Sequence, residues 1–329
     1  MIILGIESSC DETAIALVKN GTELIAHNIH SQTKLHREFG GVVPELASRQ
    51  HVESIHPLLI KTLEEAKLSL NDIDGVAVTQ GPGLEGALLV GITTAKNIAF
   101  LLNKPLIAVN HLVGHIYAHY LTDTPPKFPY MALLVSGGHT QLVHCIDHGK
   151  YELVSATRDD ACGEAFDKVA KLLGLGYPGG PVIEKLAKEG NQTAFKFPIA
   201  LPASLEFSFS GLKTAVLQTV KNTPNYKAAD VAASFQYCVI QTLLKKSLKA
   251  CNEYKCNRLV LCGGVVANRT LVQSFQDTCS KKTIHCHSLQ PVLSTDNAAM
   301  IASAAFFNQE HLLEKKQLNT LSPKPSFQL

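Results

Sequence analysis

The sequence predicts an α/β protein with two similar lobes. Three observations carry this prediction: a strand-and-turn pattern that occurs twice, helical segments that alternate with short apolar strands, and glycine-rich turns where strands end. With 329 residues, of which 46% are hydrophobic, the chain is long enough for one large domain or two ordinary ones. Such a composition excludes an intrinsically disordered chain.

The repeated pattern is a three-stranded meander. Its first copy has predicted strands at 2–6, 13–18 and 23–26, and its second copy has them at 131–135, 140–146 and 151–155. Polar or glycine turns separate the strands in both copies. Ser8 and Ser136 are 128 residues apart (136 − 8), as are Gly21 and Gly149 (149 − 21). We therefore predict two lobes that each open with the same meander.

Helices and further strands are predicted after each meander. Short apolar strands are expected at 75–79, 106–109 and 258–262. Residues 55–68 carry apolar side chains at helical spacing and predict an amphipathic helix. Residues 306–316 are expected to end a final helix. This alternation is typical of the α/β class.

Prolines mark the junction between the two lobes and the end of the chain. Pro125, Pro126 and Pro129 interrupt the pattern, so we expect an N-terminal lobe over 1–125 and a C-terminal lobe over 130–329. The last residues are rich in Ser and Pro and are expected to form a loose tail.

Composition limits the cellular setting and the partners. The start of the chain has no signal-peptide pattern and no apolar run reaches eighteen residues, so we expect a soluble cytoplasmic protein without membrane contact. The 9 cysteines include no Cys-x-x-Cys pair, which indicates small buried residues in a reducing compartment. A formal net charge of +2 is small for a protein that grips RNA alone, so an RNA substrate would require partners.

Two histidines with helical spacing form the first candidate site. His111 and His115 follow the strand predicted at 106–109, and Asn110 is well placed as a helix N-cap. Residues at i and i+4 share one helix face, so both imidazoles can reach one metal ion. The alternative is a pair of histidines on a packed or solvated face. A zincin protease needs Glu directly after the first His, and Leu112 in that position argues against a protease.

Glycine-rich turns at strand ends form the second candidate, a nucleotide site. Glycine lets backbone amides approach a phosphate, and a helix N-terminus adds a favourable dipole. No turn matches a Walker or Gly-x-Gly-x-x-Gly fingerprint, and each alone is more typical of an ordinary turn. The turns are Gly81-Pro82-Gly83, Ser136-Gly137-Gly138, Gly179-Gly180 and Cys262-Gly263-Gly264.

Acidic residues next to these turns complete the chemical candidates. They are Asp11, Glu12, Asp167, Glu184 and Asp296. On spacing alone, Asp11 and Asp296 could equally be turn or N-cap residues.

Ten short motifs in a fixed order cover nearly the whole chain. They are GIESSCDET at 5–13, GGVVPELASR at 40–49, GPGL at 81–84, HLVGH at 111–115, VSGGHT at 135–140, GEAFDK at 163–168, YPGGP at 177–181, FSGLKT at 209–214, GGVVAN at 263–268 and TDN at 295–297. In this order they closely resemble the bacterial TsaD family, whose members were once called glycoproteases or O-sialoglycoprotein endopeptidases.

The resemblance implies both a fold and a reaction. The fold is the duplicated two-lobe actin, sugar-kinase and Hsp70-like (ASKHA) fold, with a partner-facing helical segment in the N-terminal lobe and a last helix that returns to that lobe. The reaction transfers the threonylcarbamoyl group of threonylcarbamoyl-AMP to the exocyclic amine of the adenosine beside the anticodon, in tRNAs that read codons starting with A, and releases AMP. The implied partners are TsaB and TsaE, with TsaC or a relative supplying the adenylate.

Matched motif by motif, the family's site residues fall on the candidates above. His111, His115 and Asp296 would hold one divalent metal ion, with iron as the first choice and zinc as the second. Asp11 and Glu12 would act in the transfer chemistry. The substrate site would be lined by Leu134, Val135, Ser136, Gly137, Gly138, Asp167, Gly180, Glu184 and Asn268. Leu134 stands where archaeal relatives have a tyrosine that ligates iron, so the sequence leaves the metal open.

Two other functional classes compete with the transferase. A small-molecule kinase of the same fold explains the lobes and the glycine turns, but it gives no role to the histidine pair with Asp296. A noncatalytic scaffold, like the shorter partner of this family, generally lacks the histidine pair. Formation of ADP with a panel of sugars and acids would identify a kinase.

Overall fold

The computed structural model describes residues 1–309, 312–313 and 315–329. Contacts group them into two compact units: Met1–Pro126 with Thr295–Leu329, and Lys127–Ser294. The lobes expected at 1–125 and 130–329 stay a prediction.

Strands and helices alternate along the chain. In the first 126 residues they are β1 (Ile2–Glu7), β2 (Glu12–Lys19), β3 (Glu23–Ser31), α1 (Thr33–Arg37), α2 (Pro44–Ala66), β4 (Gly75–Gly81), α3 (Glu85–Leu102), β5 (Leu106–Asn110) and α4 (His111–Tyr117). Residues 127–294 form β6 (Tyr130–Val135), β7 (Thr140–Asp147), β8 (Lys150–Ala156), α5 (Cys162–Leu172), α6 (Gly179–Ala187), α7 (Ser210–Asn222), α8 (Ala228–Glu253), β9 (Arg258–Cys262), α9 (Arg269–Ser280), β10 (His285–His287) and α10 (Pro291–Ser294). The last elements are α11 (Ala298–Phe307) and β11 (Leu312–Leu313). Short 3-10 helices cover Leu70–Asp72, Ala118–Leu121, Gly264–Ala267 and Lys315–Thr320.

The first unit is built on a six-stranded sheet in the order β11-β5-β4-β1-β2-β3. β1, β2 and β3 form the antiparallel meander, whereas β4 runs parallel to β1 and β5 runs parallel to β4. Leu4 and Ile6 of β1 belong to one buried cluster with Leu59 of α2 and Leu88 of α3. Because strand side chains alternate between the faces, Gly5 points to the opposite face, where α11 packs.

The second unit repeats this arrangement with a five-stranded sheet in the order β10-β9-β6-β7-β8. β6, β7 and β8 form the meander, while β9 is parallel to β6 and β10 is parallel to β9. If the first five strands of each unit are numbered along the chain, both sheets have the same spatial order, 3-2-1-4-5. The repeat in the sequence corresponds to a repeated sheet, and the predicted α/β class is confirmed.

The helix expected at 55–68 is present as part of the longer helix α2, which begins at Pro44, a position in the first turn where the missing N–H of proline costs no hydrogen bond. Two other sequence-based expectations, about the final helix and the tail, are wrong. The final helix ends at Phe307, because Asn308 leaves the helical conformation and bonds back to Ala304 O at 2.8 Å. Residues 310, 311 and 314 of the expected helix end lie outside the described residues. The tail is not loose, since Lys324 N donates to Gln80 O at 2.8 Å.

In the part of the chain that the structure describes, one helix, α3, has the length and apolar composition that a membrane-spanning helix needs. This is weak evidence, because core helices of soluble proteins pass the same test. Leu88, Ile92 and Ala95 of α3 are fully buried in the core of the first unit.

Candidate active site

Two buried histidines on α4 form the centre of the candidate site. Asn110 caps this helix, with Oδ1 accepting hydrogen bonds from Leu112 N at 2.8 Å and Val113 N at 3.4 Å. The cap fixes the start of the first turn, so His111 and His115 share one helix face. Their ring centroids are 4.7 Å apart, and the two residues are only 7% and 1% exposed.

Asp296 reaches the histidines because α11 packs closely against β1. Gly5 leaves the necessary room, since a Cβ atom at this position would lie only 3.0 Å from Ala302 Cβ. Asn297 caps α11 by accepting a hydrogen bond from Met300 N at 2.9 Å, which places Asp296 directly before the helix. Asp296 Oδ1 lies 3.5 Å from His111 Nε2 and 3.2 Å from His115 Nε2.

The three side chains could hold one metal ion. One ligand atom from each of His111, His115 and Asp296 can be chosen so that all lie within 4.8 Å of one another. Around a tetrahedral ion with bonds of about 2.0–2.2 Å, ligand atoms are roughly 3.4 Å apart, close to the 3.2 and 3.5 Å found here. Although Asp296 Oδ1 lies 3.2 Å from Nε2 of the buried His115, neither ring nitrogen of this histidine makes a hydrogen bond of normal geometry within the described residues. A cation at this point would satisfy Nε2, and such a ligand set leaves further positions open.

Glu7, the last residue of β1, is a site residue that sequence analysis misses. Its side chain is fully buried, and Oε2 accepts a hydrogen bond from Thr79 Oγ1 at 2.6 Å. The same oxygen lies 3.0 Å from Nδ1 of His111. His111 therefore faces one carboxylate at each ring nitrogen, with Asp296 at Nε2. A carboxylate that accepts from the second nitrogen of a metal-binding imidazole fixes its tautomer and its orientation.

The only signal for Glu7 in the sequence is an acidic residue that ends an otherwise apolar strand. That pattern also fits a surface turn, because the sequence does not show that the residue is buried or that it meets a helix 104 positions later.

Burial and facing charges have opposite effects on the titration of this cluster. Burial acts to lower the pKa of His111, but the carboxylates of Asp296 and Glu7 outweigh it and hold that pKa well above its usual value. Burial acts to raise the pKa of both acids, and the facing His111 outweighs it, so both pKa values are lowered. The pKa of His115 is lowered, mainly by burial. His115 is thus a neutral imidazole, which is the form that binds a metal.

Asp11 and Glu12 lie in the first unit, near Asp296. Asp11 O accepts a hydrogen bond from Gln32 N at 3.0 Å, and Glu12 Oε1 accepts one from Ser31 Oγ at 3.0 Å. Burial, followed by the negative charges of Asp11 and Asp296, raises the pKa of Glu12 well above its usual value. A raised pKa makes the ionised carboxylate a stronger base.

The predicted substrate residues all lie in the second unit. Leu134 and Val135 end β6 and have no exposed surface. The following turn, Ser136 with the exposed Gly137 and Gly138, lies against the start of α5, because Gly163 N donates to Ser136 O at 3.1 Å. The turn therefore presents glycine backbone next to a helix N-terminus.

Gly180 lies at the start of α6, and the side chain of Asp167, a residue of α5, reaches the same helix start. The Asp167 carboxylate accepts a hydrogen bond from Gly179 N at 2.6 Å, which fixes the turn that begins this helix. Apart from its chain neighbours and its own helix backbone, no heavy atom of the described residues would lie within 4 Å of a Cβ placed at Gly180, so this position is open.

Glu184 and Asn268 meet at the start of α9. Asn268 caps the helix through Leu271 N at 2.9 Å, and its amide donates to Gln236 Oε1 at 2.9 Å. Glu184 Oε1 accepts from Arg269 N at 2.9 Å. These two side chains thus hold helix backbone, a structural role that the sequence motifs do not reveal.

The chain is similar to known proteins over nearly its whole length. The family model described as "TsaD: tRNA N6-adenosine threonylcarbamoyltransferase" matches residues 23–303. A relative from Desulfitobacterium hafniense (strain Y51) is 51% identical over 311 residues, which cover 93% of this chain and 91% of the relative. A relative from Clostridium perfringens (strain SM101 / Type A) is 50% identical over 335 residues, which cover 100% and 98%. Both relatives are named tRNA N6-adenosine threonylcarbamoyltransferase.

Solved structures with low identity share the fold. Full-length HypF in its phosphate- and nucleotide-bound form has a TM-score of 0.64 at 14% identity, over 98% of this chain and 56% of that chain. Component A of (R)-2-hydroxyglutaryl-CoA dehydratase from Acidaminococcus fermentans has a TM-score of 0.56 at 15% identity, over 93% and 98%. The predicted duplicated ASKHA fold is confirmed. The family model and the relatives at 50% identity together show that this chain belongs to the TsaD family.

Proposed function

We propose that this chain is a tRNA N6-adenosine threonylcarbamoyltransferase. It transfers the threonylcarbamoyl group of threonylcarbamoyl-AMP to the exocyclic amine of the adenosine beside the anticodon, in tRNAs that read codons starting with A, and releases AMP. The observation that carries the proposal is 50% identity over the whole chain to a relative of that name. The kinase alternative gains no support, because neither of the relatives described above is named as a kinase and a kinase would give the His–Asp cluster no role.

We assign one divalent metal ion to His111, His115 and Asp296, with iron as the first choice and zinc as the second. When bound, the ion would act as a Lewis acid on a carbonyl or phosphate oxygen of the donor. His115 supplies a neutral imidazole, and Asp296 supplies the negative charge that offsets the cation. Glu7 holds the His111 ring in place through Nδ1.

We assign Asp11 and Glu12 to the transfer step. The amine nitrogen attacks the carbamoyl carbon, the bond from that carbon to the phosphate oxygen of AMP breaks, and the nitrogen loses a proton. Glu12 is suited to accept this proton because burial and neighbouring charges raise its pKa. Asp11 positions the amine or shares the role of proton acceptor.

The assigned substrate residues surround three helix starts in the second unit. The turn after β6, Gly180 and Asn268 lie at the N-termini of α5, α6 and α9. Backbone amides and helix dipoles at such positions favour an anion, which suits the phosphate of the AMP part. The carboxylates of Asp167 and Glu184 can accept hydrogen bonds from sugar hydroxyls or from the threonyl group. Leu134 and Val135 end the buried strand β6, which leads into the turn.

The proposal is tested by analysing modified nucleosides in tRNA from cells depleted of this protein. Threonylcarbamoyladenosine is expected to fall to a small fraction of its normal level and to return when the wild-type chain is supplied. A normal level in depleted cells that carry no second copy of the gene would rule out the assigned function. A purified assay with a panel of sugars and acids provides the control, since rapid sugar-dependent ADP formation would indicate a kinase.

We further propose that the enzyme acts in the cytoplasm with TsaB and TsaE, and that TsaC or a relative supplies the adenylate. The candidate partner surface comprises residues 34–49 and 52–68. Val52 and Ile60 of α2 lie within this surface and are 61% and 56% exposed, so both side chains are accessible to a partner. The small net charge of +2 also favours help from partners in holding tRNA.

Reversing two charges on the candidate partner surface is expected to weaken complex formation or tRNA binding by about tenfold. The variant combines Arg37→Glu with Arg49→Glu. Arg49 is 71% exposed and pairs with Glu45 at 2.6 Å, so a glutamate at position 49 would replace this attraction by repulsion. Pull-down with TsaB and a tRNA-binding assay provide the measurement, with Lys281→Glu and Lys282→Glu in the second unit as the charge-matched control. If the doubly reversed protein binds like the wild type, this surface has no part in either contact.

A further inference from the structure

The segment Ser322–Gln328, called here the C-terminal segment, lies along the loop that follows β4. Two backbone hydrogen bonds join them: Lys324 N donates to Gln80 O at 2.8 Å, and Gly83 N donates to Pro325 O at 3.2 Å. The segment is anchored from its N-terminal side by Leu318 and Leu321, which are buried in the core of the first unit.

Two side chains of the first unit also bind the backbone of the C-terminal segment. Gln80 Nε2 donates to Ser322 O at 3.0 Å, and Asn110 Nδ2 donates to Gln328 O at 3.3 Å. Asn110 is the residue whose Oδ1 caps α4. The segment therefore contacts the cap of the helix that carries both metal-binding histidines.

The loop 81–84 is held between the C-terminal segment and the turn after β1. A side chain at Gly81 would collide with the carbonyl of Lys324, and a Cβ at Gly83 would lie 2.5 Å from Ser9 O. Leu84 N donates to the same oxygen at 2.8 Å. The glycines of this motif are thus required for close approach on both sides of the loop.

Ser9 contacts both the loop 81–84 and the candidate metal site. Its Oγ lies 3.3 Å from Nδ1 of His111, and its backbone N–H donates to Glu7 Oε1 at 2.5 Å. The C-terminal segment is therefore connected to His111 twice, through the loop and Ser9 on one side and through Asn110 on the other.

We propose that the C-terminal segment is a positioning element for the metal-binding histidines. By holding the loop 81–84 against Ser9 and by fixing the side chain of Asn110, it keeps the His111 ring in the orientation that meets Asp296. Without the segment, the Gln80 carbonyl, the Gly83 N–H and the side-chain amides of Gln80 and Asn110 lose their hydrogen-bond partners. The loop 81–84 also loses its packing contact on that side. The proposal rests on the metal site assigned above.

The test uses a variant that ends at Leu321 and so retains the buried anchors. In metal-free protein, amide hydrogen exchange at Gly83, Leu84 and Leu112 is expected to rise at least tenfold, while exchange in α8 stays unchanged. The dissociation constant for Co²⁺, measured by titration of its visible absorption, is expected to rise by about 10- to 100-fold, as for loss of other groups that orient metal ligands. A synthetic peptide with the sequence of residues 322–329 should restore both, and a scrambled peptide should not.

A second variant keeps the test decisive if the shortened protein fails to fold. Lys324→Pro removes the N–H that donates to Gln80 O and puts ring carbon atoms in its place, so it should displace the segment without removing it and without altering the loop 81–84, with the same effect on exchange and on Co²⁺. Unchanged exchange and unchanged Co²⁺ affinity in a folded variant would overturn the positioning role. If the full-length protein itself bound no Co²⁺, the assigned metal site would fail, while the exchange measurement would still decide whether the segment orders the loop and the cap.

Discussion

Replacing His111 or His115 by Ala, or Asp296 by Asn, is expected to remove tight metal binding and to lower transfer to tRNA by roughly 100-fold or more. Each Ala variant removes a donor nitrogen without supplying a substitute. Asp296→Asn keeps the shape of the side chain but discards the charge that offsets the cation. Since Asp296 Oδ1 lies 3.5 and 3.2 Å from the two Nε2 atoms, the loss of any one ligand should affect metal and activity together.

The measurement is metal content by elemental analysis, beside threonylcarbamoyl transfer and thermal unfolding of the same preparations. His285→Ala is the matched control, because this exposed histidine of β10 lies in the second unit. If all three ligand variants stayed folded with full metal and activity, the metal site would be assigned to the wrong residues. Loss of metal from the control alone would point to other histidines. The wild-type preparation also decides between iron and zinc.

The histidine pair could be predicted from sequence because the information is local. A strand pattern, a capping Asn110 and a spacing of four residues suffice to place both rings on one helix face. Asp296 could not be derived in this way, since 181 residues separate it from His115 (296 − 115). Its place in the cluster followed only from the family resemblance, and the structure explains it through Gly5, which allows α11 to approach β1.

The strands were also predictable, whereas contacts of the polar residues were not. Apolar alternation and turn residues locate β1, β6 and β9 to within a residue, and the repeat at 128 positions reflects the repeated sheet order. The same local signals fail for the C-terminal segment, because Ser and Pro indicate a loop but not what the loop contacts. They fail again for Glu184, whose carboxylate binds helix backbone 85 positions later.

Replacing Glu7 by Gln is expected to raise the dissociation constant for the metal by about 10- to 100-fold while the protein stays folded. The change keeps the size of a fully buried side chain. The two carboxylate oxygens of Glu7 face three donors: Ser9 N, Thr79 Oγ1 and, when His111 binds metal through Nε2, its Nδ1–H. In the Gln variant an amide NH₂ group, which cannot accept a hydrogen bond, replaces one of these oxygens. One hydrogen bond is therefore lost, at a cost of about 1–3 kcal/mol to the folded state.

The companion variant is Glu12→Gln, which separates orientation of the metal ligands from proton transfer. Glu12 bonds Ser31 rather than a histidine, so its replacement should leave metal affinity close to that of the wild type and lower kcat. Competition titration for the metal, urea unfolding and the steady-state rate are measured for both variants. Excess metal should restore most of the rate of Glu7→Gln, because occupancy is what that variant lacks, and it should do nothing for Glu12→Gln. A Glu7→Gln protein with wild-type metal affinity would show that His111 is oriented by Asp296 and the helix alone, and that Glu7 contributes only to the folded core.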